Sequence, residues 1–146
     1  MLVETKDFGP LNINEDDIIF FPTGIYGFEE LHKFVILTDP VNKWIIYLQS
    51  LENAEFRFLM LDPYSFFEKY NPIISEDVLN SINPYKREDI VLFSIVVIPS
   101  NTSESTVNLK SPILINFNNK TGMQIILENK DYNVATKLFS RKQSGG

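Results

Sequence analysis

The chain has 146 residues, of which 44% are hydrophobic and 22% charged, with a formal net charge of −6 at pH 7. This composition excludes intrinsic disorder, and the length predicts one globular domain with a sizeable core. The chain has no cysteine, which excludes disulfides, thiol nucleophiles and thiolate metal sites and fits a reducing compartment.

Most of the chain is predicted to form strands, because β-branched and aromatic residues cluster between Gly, Pro, Asn and Asp. The polar stretch 9–17 is instead predicted to turn. Strands 44–49 and 56–61 carry apolar residues on both faces and are joined by a short connection, which predicts a hairpin covered on both sides. The predicted strands are 2–5, 18–21, 34–38, 44–49, 56–61, 90–98, 113–117 and 123–127.

Helix-start signals predict a helical segment between the strands 56–61 and 90–98. Asp62 is suited to the N-cap of a first helix, with Pro63 at its first position. Ser75 begins a second helix, which ends before Pro84. A third helix is predicted at the C-terminal end, over residues 134–141.

Together these elements predict a mainly β fold: a small closed or partly open β-barrel, or a compact sandwich, with a short helical insertion at residues 62–83. One domain is expected over residues 1–140, followed by a flexible tail or cloning remnant at 141–146. The first residues lack a basic segment followed by an apolar one, so no signal peptide is expected. The longest apolar run, IVLFSIVVI, has nine residues and is too short for a bilayer. We therefore expect no membrane contact.

The negative charge lies in the first half of the chain. Residues 1–70 contain twelve acidic and five basic residues, a balance of −7, and residues 71–146 contain seven and eight, a balance of +1. A nucleic-acid binder needs a basic footprint, so no direct nucleic-acid partner is predicted. An acidic half favours a basic partner, although the charge could also serve solubility alone.

Residues suited to catalysis or metal binding are scarce. His32 is the one histidine and lies among charged residues, as an incidental surface imidazole does. Glu15, Asp16 and Asp17 are consecutive and cannot all face one cation, which indicates a solvated acidic turn. Gly24 and Gly27 lack the pattern of a phosphate loop and indicate a turn with positive φ. No catalytic, cofactor or metal residue is predicted, and the chain is not expected to be an enzyme; a carboxylate-based hydrolase remains an alternative.

A series of short stretches resembles the bacterial flagellar assembly factor family FliW, in order from about Thr5 to Tyr132. The stretches are Phe8-Gly9, IFFPTGIYGF at 19–28, YLQS at 47–50 and NLKSPI at 108–113, followed by Asn116, Gln124 and Leu127. The resemblance implies a cytoplasmic, barrel-like protein without a known reaction. It also implies that the protein binds the RNA-binding regulator CsrA and relieves its repression of flagellin translation, with flagellin as the competing partner. The alternative is a flagellin-binding or export chaperone without a translational role, and a monomer is expected in either case.

CsrA must be basic enough to hold RNA phosphates, so the acidic half is predicted to supply the surface that faces it. Gln49 and Ser50 have two interpretations: they end the central strand and hydrogen-bond the turn that follows, or they lie exposed at the rim and touch a partner. Asn108 is expected to anchor a loop and Pro112 to protect an edge strand. The predicted partner-binding residues are Glu15, Asp16, Asp17, Glu29, Glu30, Gln49, Ser50, Glu52 and Glu55.

Overall fold

Eleven strands, two short α-helices and three 3-10 turns make up the regular structure of residues 1–139, the part of the chain described by the computed structural model. The helices are α1 (Pro63–Phe66) and α2 (Glu76–Ser81). The strands are β1 (Leu2–Thr5), β2 (Gly9–Asn12), β3 (Ile19–Phe20), β4 (Lys33–Thr38), β5 (Ile46–Ser50), β6 (Arg57–Leu61), β7 (Ile90–Val97), β8 (Thr106–Val107), β9 (Ile113–Asn116), β10 (Thr121–Gln124) and β11 (Thr136–Lys137).

Seven of the strands close into a barrel. Their order is β7-β6-β5-β4-β3-β10-β9, and β9 pairs back onto β7 from Ile90↔Asn116 to Phe93↔Ile113. Every pair in the ring is antiparallel except β3–β10. The second half of β7 continues into a flap with β8 and β11. The prediction of a mainly β fold with a short helical insertion is confirmed, and of its alternatives the closed barrel is the one formed.

Large apolar side chains fill the barrel interior, as in other small barrels. Phe21, Phe34, Leu48 and Met60 are fully buried there and pack with residues of β9. The outer wall is covered twice. The β1–β2 hairpin packs on one side, around Val35, and the helical insertion together with the C-terminal segment packs on another. This double covering explains why β5 and β6 are apolar on both faces, as predicted.

The prediction that the stretch 9–17 only turns is wrong for residues 9–12, which form β2 against β1. Gly9 makes the hairpin possible, with a φ of 65° that a glycine adopts without strain. The Thr5 hydroxyl donates to the carbonyl of Gly9 at 2.7 Å and accepts from the N–H of Phe8 at 3.1 Å. Pro10 and Asn12 of this strand are exposed and Gly9 and Leu11 are half-buried, so its sequence carries no strong strand pattern. It forms a strand because it pairs with β1.

Both predicted helix starts in the insertion are confirmed. The Asp62 carboxylate accepts from the N–H of Tyr64 at 3.0 Å, and the Ser75 hydroxyl accepts from the N–H of Val78 at 3.3 Å. These side chains satisfy backbone donors that no helical carbonyl reaches. The insertion leaves the barrel after Leu61 and returns to it at the start of β7.

The helix predicted over residues 134–141 is wrong within the described part of the chain. Residues Thr136–Lys137 form β11, paired with β8, and the N–H of Leu138 donates to the carbonyl of Ser105 at 3.0 Å. The open edge of β8 and the burial of Leu138 decide this conformation over helix propensity. Residues 140 and 141 of that helix, and the tail predicted at 141–146, lie outside the described residues.

The remaining strand predictions differ from the structure by a few residues at their ends. The largest shift is at β10, which is predicted at 123–127 and spans Thr121–Gln124. Beyond its end, the N–H groups of Ile125 and Leu127 donate to the carbonyls of Pro112 and Lys110. Pro112 does not protect an edge strand, because the strand that follows it, β9, is paired on both sides. Within residues 1–139, no helix is both long and apolar enough to cross a membrane.

Candidate partner-binding surface

Several loops meet at one end of the barrel, which we call the loop end: the β5–β6 turn at 51–56, the loop at 21–32, the loop at 108–112 and the side chain of Gln124. The first two are joined by Glu52, whose Oε1 accepts from the N–H of His32 at 2.5 Å and of Lys33 at 2.9 Å. The rings of Phe28 and Phe56 add a second contact, with centroids 5.2 Å apart.

Gln124 joins the loop at 21–32 to the loop at 108–112. Its Oε1 accepts from the N–H of Tyr26 at 3.1 Å, and its Nε2 donates to the carbonyl of Ser111 at 3.1 Å. The N–H of Ser111 in turn donates to the Asn108 side chain at 2.8 Å, which confirms that Asn108 anchors its loop. The loop end is therefore one connected structure built from residues far apart in sequence.

Gln49 and Ser50 lie beneath this end and are buried, with 1% and 0% of their surfaces exposed. Gln49 Nε2 donates to the carbonyls of Ser50, Ala54 and Phe56 at 3.0–3.2 Å. Its Oε1 accepts from the N–H of Lys6 at 3.0 Å.

The Ser50 hydroxyl accepts from the N–H groups of Glu52 and Asn53, both at 3.1 Å. The interpretation in which both residues hold the following turn is confirmed, and the one in which they lie exposed at the rim is wrong. Buried backbone N–H and carbonyl groups need hydrogen-bond partners. Gln49 and Ser50 at the end of β5 provide them for the turn.

The turn with positive φ predicted at Gly24 and Gly27 is confirmed, with φ values of 68° and 88°. Gly24 is also enclosed, because a Cβ at this position would lie 2.6 Å from the Cα of Glu29. No side chain fits there without moving the backbone, so this loop keeps a fixed path across the loop end.

The seven predicted acidic residues are all exposed. Four of them belong to the loop end: Glu29 and Glu30 follow Phe28 in sequence, and Glu52 and Glu55 lie in the turn that ends at Phe56. The other three form a solvated 3-10 turn, Glu15–Asp17, as predicted. That turn follows Ile13, which belongs to the same hydrophobic cluster as Leu51.

No hydrogen bond or ion pair within residues 1–139 joins the two acidic groups. The one ion pair among those residues is between Asp7 and Arg57, at 2.8 Å. None of the seven carboxylates therefore forms a salt bridge within the described residues.

The Glu52 carboxylate accepts from two backbone N–H groups, whereas that of Glu29 accepts from one, the N–H of Gly27 at 3.1 Å. Burial alone would raise the pKa of Glu52, but the N–H groups of Lys33 and His32, with the positive charges of those residues, outweigh it and hold the pKa below its ordinary value. The carboxylate thus stays ionised while it fixes the β5–β6 turn to the start of β4. The His32 ring is also structural, since its Nδ1 lies 2.8 Å from the carbonyl of Phe21.

Sequence reasoning missed the exposed aromatic residues of this surface, because it used the aromatic residues only as signals for strands. Phe56 is 37% exposed and Tyr26 55% exposed, and Phe28 lies half-buried between the rings of Phe56 and Phe58. The signal was present in their neighbours: Tyr26 precedes a glycine in a turn, and Phe56 lies between Glu55 and Arg57. Aromatic residues are enriched in protein–protein interfaces, whose rims are polar.

Comparison with known proteins gives one consistent result. The family model described as FliW protein matches residues 2–138. The flagellar assembly factor FliW of Caldanaerobacter subterraneus subsp. tengcongensis is 43% identical over 136 residues, covering 90% of this chain and 89% of that protein. The FliW of Thermoanaerobacter pseudethanolicus is 39% identical with the same coverage. A crystal structure of the flagellar assembly factor FliW is 32% identical, with a TM-score of 0.89 over 97% of this chain and 99% of that one.

Proposed function

The chain belongs to the FliW family of flagellar assembly factors, and we propose that it acts as a non-catalytic, protein-binding regulator in the cytoplasm. In this proposal it binds the translational repressor CsrA as a monomer and relieves the repression of flagellin synthesis. Flagellin is the competing partner, so flagellin that has not been exported takes up the regulator and leaves CsrA free to repress.

The observation that carries the proposal is the arrangement of the loop end. Glu29, Glu30 and Glu55, which form no salt bridge within the described residues, lie close in sequence to Phe28 and Phe56, whose rings are in contact. A protein that holds RNA phosphates has a basic surface, and such a surface complements this one in charge. The acidic residues also repel RNA itself, so the regulator would engage the RNA-binding protein and not its nucleic acid.

The two kinds of residue would contribute differently to binding. Exposed carboxylates mainly accelerate encounter and make it dependent on salt. Aromatic residues at the centre of a contact supply most of the affinity once water is excluded. Gln49 and Ser50 would contribute indirectly, because they fix the backbone on which Glu52, Glu55 and Phe56 are carried.

The test is charge reversal at the loop end. We expect Glu30→Lys with Glu55→Lys to weaken CsrA binding about tenfold at low salt and to reduce the salt dependence of the association rate. Neither side chain makes a hydrogen bond within the described residues, so the fold should be unaffected. Glu68→Lys with Glu88→Lys is the matched control: the net charge changes equally, but on the insertion at the other end of the barrel. Equal effects of the two double variants, or none, would refute the assignment of the surface.

A competition experiment separates the proposal from its alternative. The complex with CsrA is formed first and flagellin is then added, with free CsrA measured by its binding to a flagellin-message leader. We expect flagellin to release CsrA in proportion to the amount added. If the protein binds flagellin but does not bind CsrA, the alternative hypothesis of an export chaperone holds and the translational role is refuted.

A further inference from the structure

The seam between β6 and β7 is only partly paired. The last pair between the two strands is Leu61↔Ser94, and the chain then leaves for the insertion. In the same register the next residue of β6 would be Pro63, which has no N–H to donate and whose carbonyl accepts from the N–H of Phe67 at 2.8 Å. Residues 90–93 therefore have β9 on one side and no strand of residues 1–139 on the other.

The hydrogen-bond alternation along β7 shows which backbone groups point to this open side. The N–H of Phe117 donates to the carbonyl of Asp89 at 2.9 Å, and antiparallel strands exchange hydrogen bonds at every second pair. Val91 and Phe93 therefore bond to β9, and Leu92 directs its N–H and its carbonyl to the opposite side. No hydrogen bond within residues 1–139 satisfies either group of Leu92, although the residue is only 7% exposed.

A cavity of about 930 Å³ runs along this open edge, because all four residues of 90–93 line it. Ile46 and Phe93, which belong to the barrel interior, line one side of the cavity. Ile74 and Ile82 of the insertion line the other side. A strand placed against the edge would point its side chains alternately to these two sides, so both of its faces would meet apolar residues.

The polar groups of the cavity favour an extended peptide over a helix or an ion. The hydroxyls of Tyr64 and Tyr85 and the side-chain amide of Asn71 line it and make no hydrogen bond within the described residues. An extended peptide carries backbone N–H and carbonyl groups on both of its edges, whereas a helix uses them internally. The lining contains one cation, Arg87, and one carboxylate, Asp62, so its charge favours neither an acidic nor a basic ligand.

We propose that an extended segment of a partner protein adds to the open edge of β7 as a further strand. One edge of the segment bonds to the N–H and carbonyl of Leu92 and to the carbonyl of Ile90, whose own N–H is donated to the carbonyl of Arg87. The other edge faces the tyrosine hydroxyls and the asparagine amide. Unpaired edges of sheets are templates for such addition, in which the main chain gives affinity and the alternate side chains give specificity. The inference does not rest on the proposed function.

The test uses a displayed library of random eight-residue peptides, selected against the full chain and titrated individually by fluorescence anisotropy. Amide hydrogen exchange of the protein is measured by NMR with and without each peptide. We expect the Leu92 amide to exchange faster than those of Val91 and Phe93 in the free protein. Peptide binding should slow exchange at Leu92 about tenfold or more and change its two neighbours less than about threefold, since these are already bonded to β9.

N-methylation of the peptide, one residue at a time, tests the strand conformation directly. Residues whose N–H points to β7 should lose about tenfold or more in affinity, and the residues between them less than about threefold. Leu79→Lys should weaken binding about tenfold by placing a charge in the apolar lining. Ile126→Lys is the matched control, because it makes a similar change at an exposed residue that does not line the cavity.

The inference fails if no peptide is selected, if the selected peptides leave exchange at Leu92 unchanged, or if sensitivity to N-methylation does not alternate. Equal effects of Leu79→Lys and Ile126→Lys would also refute it. It fails as well if sedimentation shows that the chain dimerises and that Leu92 is protected only in the dimer, since the added strand would then come from a second copy.

Discussion

Gln49→Ala should be among the most destabilising changes of a polar residue in this protein. The side chain is 1% exposed and makes four hydrogen-bond contacts, to Lys6, Ser50, Ala54 and Phe56. The two amide hydrogens are shared among three carbonyls, so the contacts are not fully additive. Each buried hydrogen bond contributes about 1 kcal/mol net, and a group left without a partner costs about 1–3 kcal/mol. We therefore expect the free energy of unfolding to fall by about 2–4 kcal/mol.

The assay is urea unfolding, followed by the fluorescence of Trp44, the one tryptophan of the chain. With a slope of about 2 kcal/mol per molar urea, the midpoint should fall by about 1–2 M. Gln124→Ala is the matched control, since this half-buried side chain makes only two hydrogen bonds, and it should cost about 1 kcal/mol. If Gln49→Ala costs no more than Gln124→Ala, the reasoning that the strand end holds the turn is refuted.

Gln49→Glu tests the same site by pH. The new carboxylate would face three carbonyl oxygens in a buried position, so its pKa should lie above that of an exposed glutamate. A group with a raised pKa in the folded state is tolerated at low pH and destabilises as pH rises through that value. The variant should therefore approach the stability of the wild type at acid pH and fall behind it towards neutrality. A pH-independent difference would show that the carbonyls do not surround this atom.

Three further predictions address the loops and the buried tyrosine. Gly24→Ala should lower the free energy of unfolding by about 2 kcal/mol or more, against about 1 kcal/mol for Gly9→Ala. Both glycines have positive φ, but a Cβ would strike the backbone at Gly24 and not at Gly9. Equal losses of unfolding free energy in the two variants would contradict this prediction. The pKa of Glu52 is lowered in the folded state. The difference in stability between the wild type and Glu52→Gln should therefore be largest above the ordinary pKa of 4.5 and should shrink as pH falls below it. A titration by NMR that gives Glu52 a pKa above that value would exclude the effect. Burial raises the pKa of Tyr70, so stability should decline as pH rises above 10.0 and decline less in Tyr70→Phe. That variant should also lose about 1 kcal/mol at neutral pH with the hydrogen bond to Leu109.

Much of the architecture was predictable because it depends on patterns within single segments. The apolar residues on both faces of 44–49 and 56–61 predicted a covered hairpin, and β5 and β6 form one. The helix caps at Asp62 and Ser75 depend on side chains that bond to their own neighbours. The acidic character of the first half is likewise a property of the sequence, and the family resemblance read from the ordered stretches is confirmed.

The missed elements are those that depend on a partner supplied from elsewhere in the chain. β2 lacks a strand pattern and forms because β1 pairs with it, and β11 forms on the edge of β8 instead of continuing as a helix. The exposure of Phe56 could not be read from its apolar character either. Phe56 lies one residue before the start of β6, at the end of the barrel wall, and its side chain is partly exposed to solvent.

By itself, the sequence determined most of the local elements, the mainly β character of the fold and the sign of the net charge, because these follow from residue type and from short-range spacing. The tertiary structure decided that the barrel closes, which polar residues hold the loops and which aromatic residues stay exposed. The physical reason is separation along the chain: Lys6 and Gln49 are 43 residues apart, and Tyr26 and Gln124 are 98 apart. A hydrogen bond between such residues exists only after the barrel has closed, and no pattern among their neighbours in sequence predicts it.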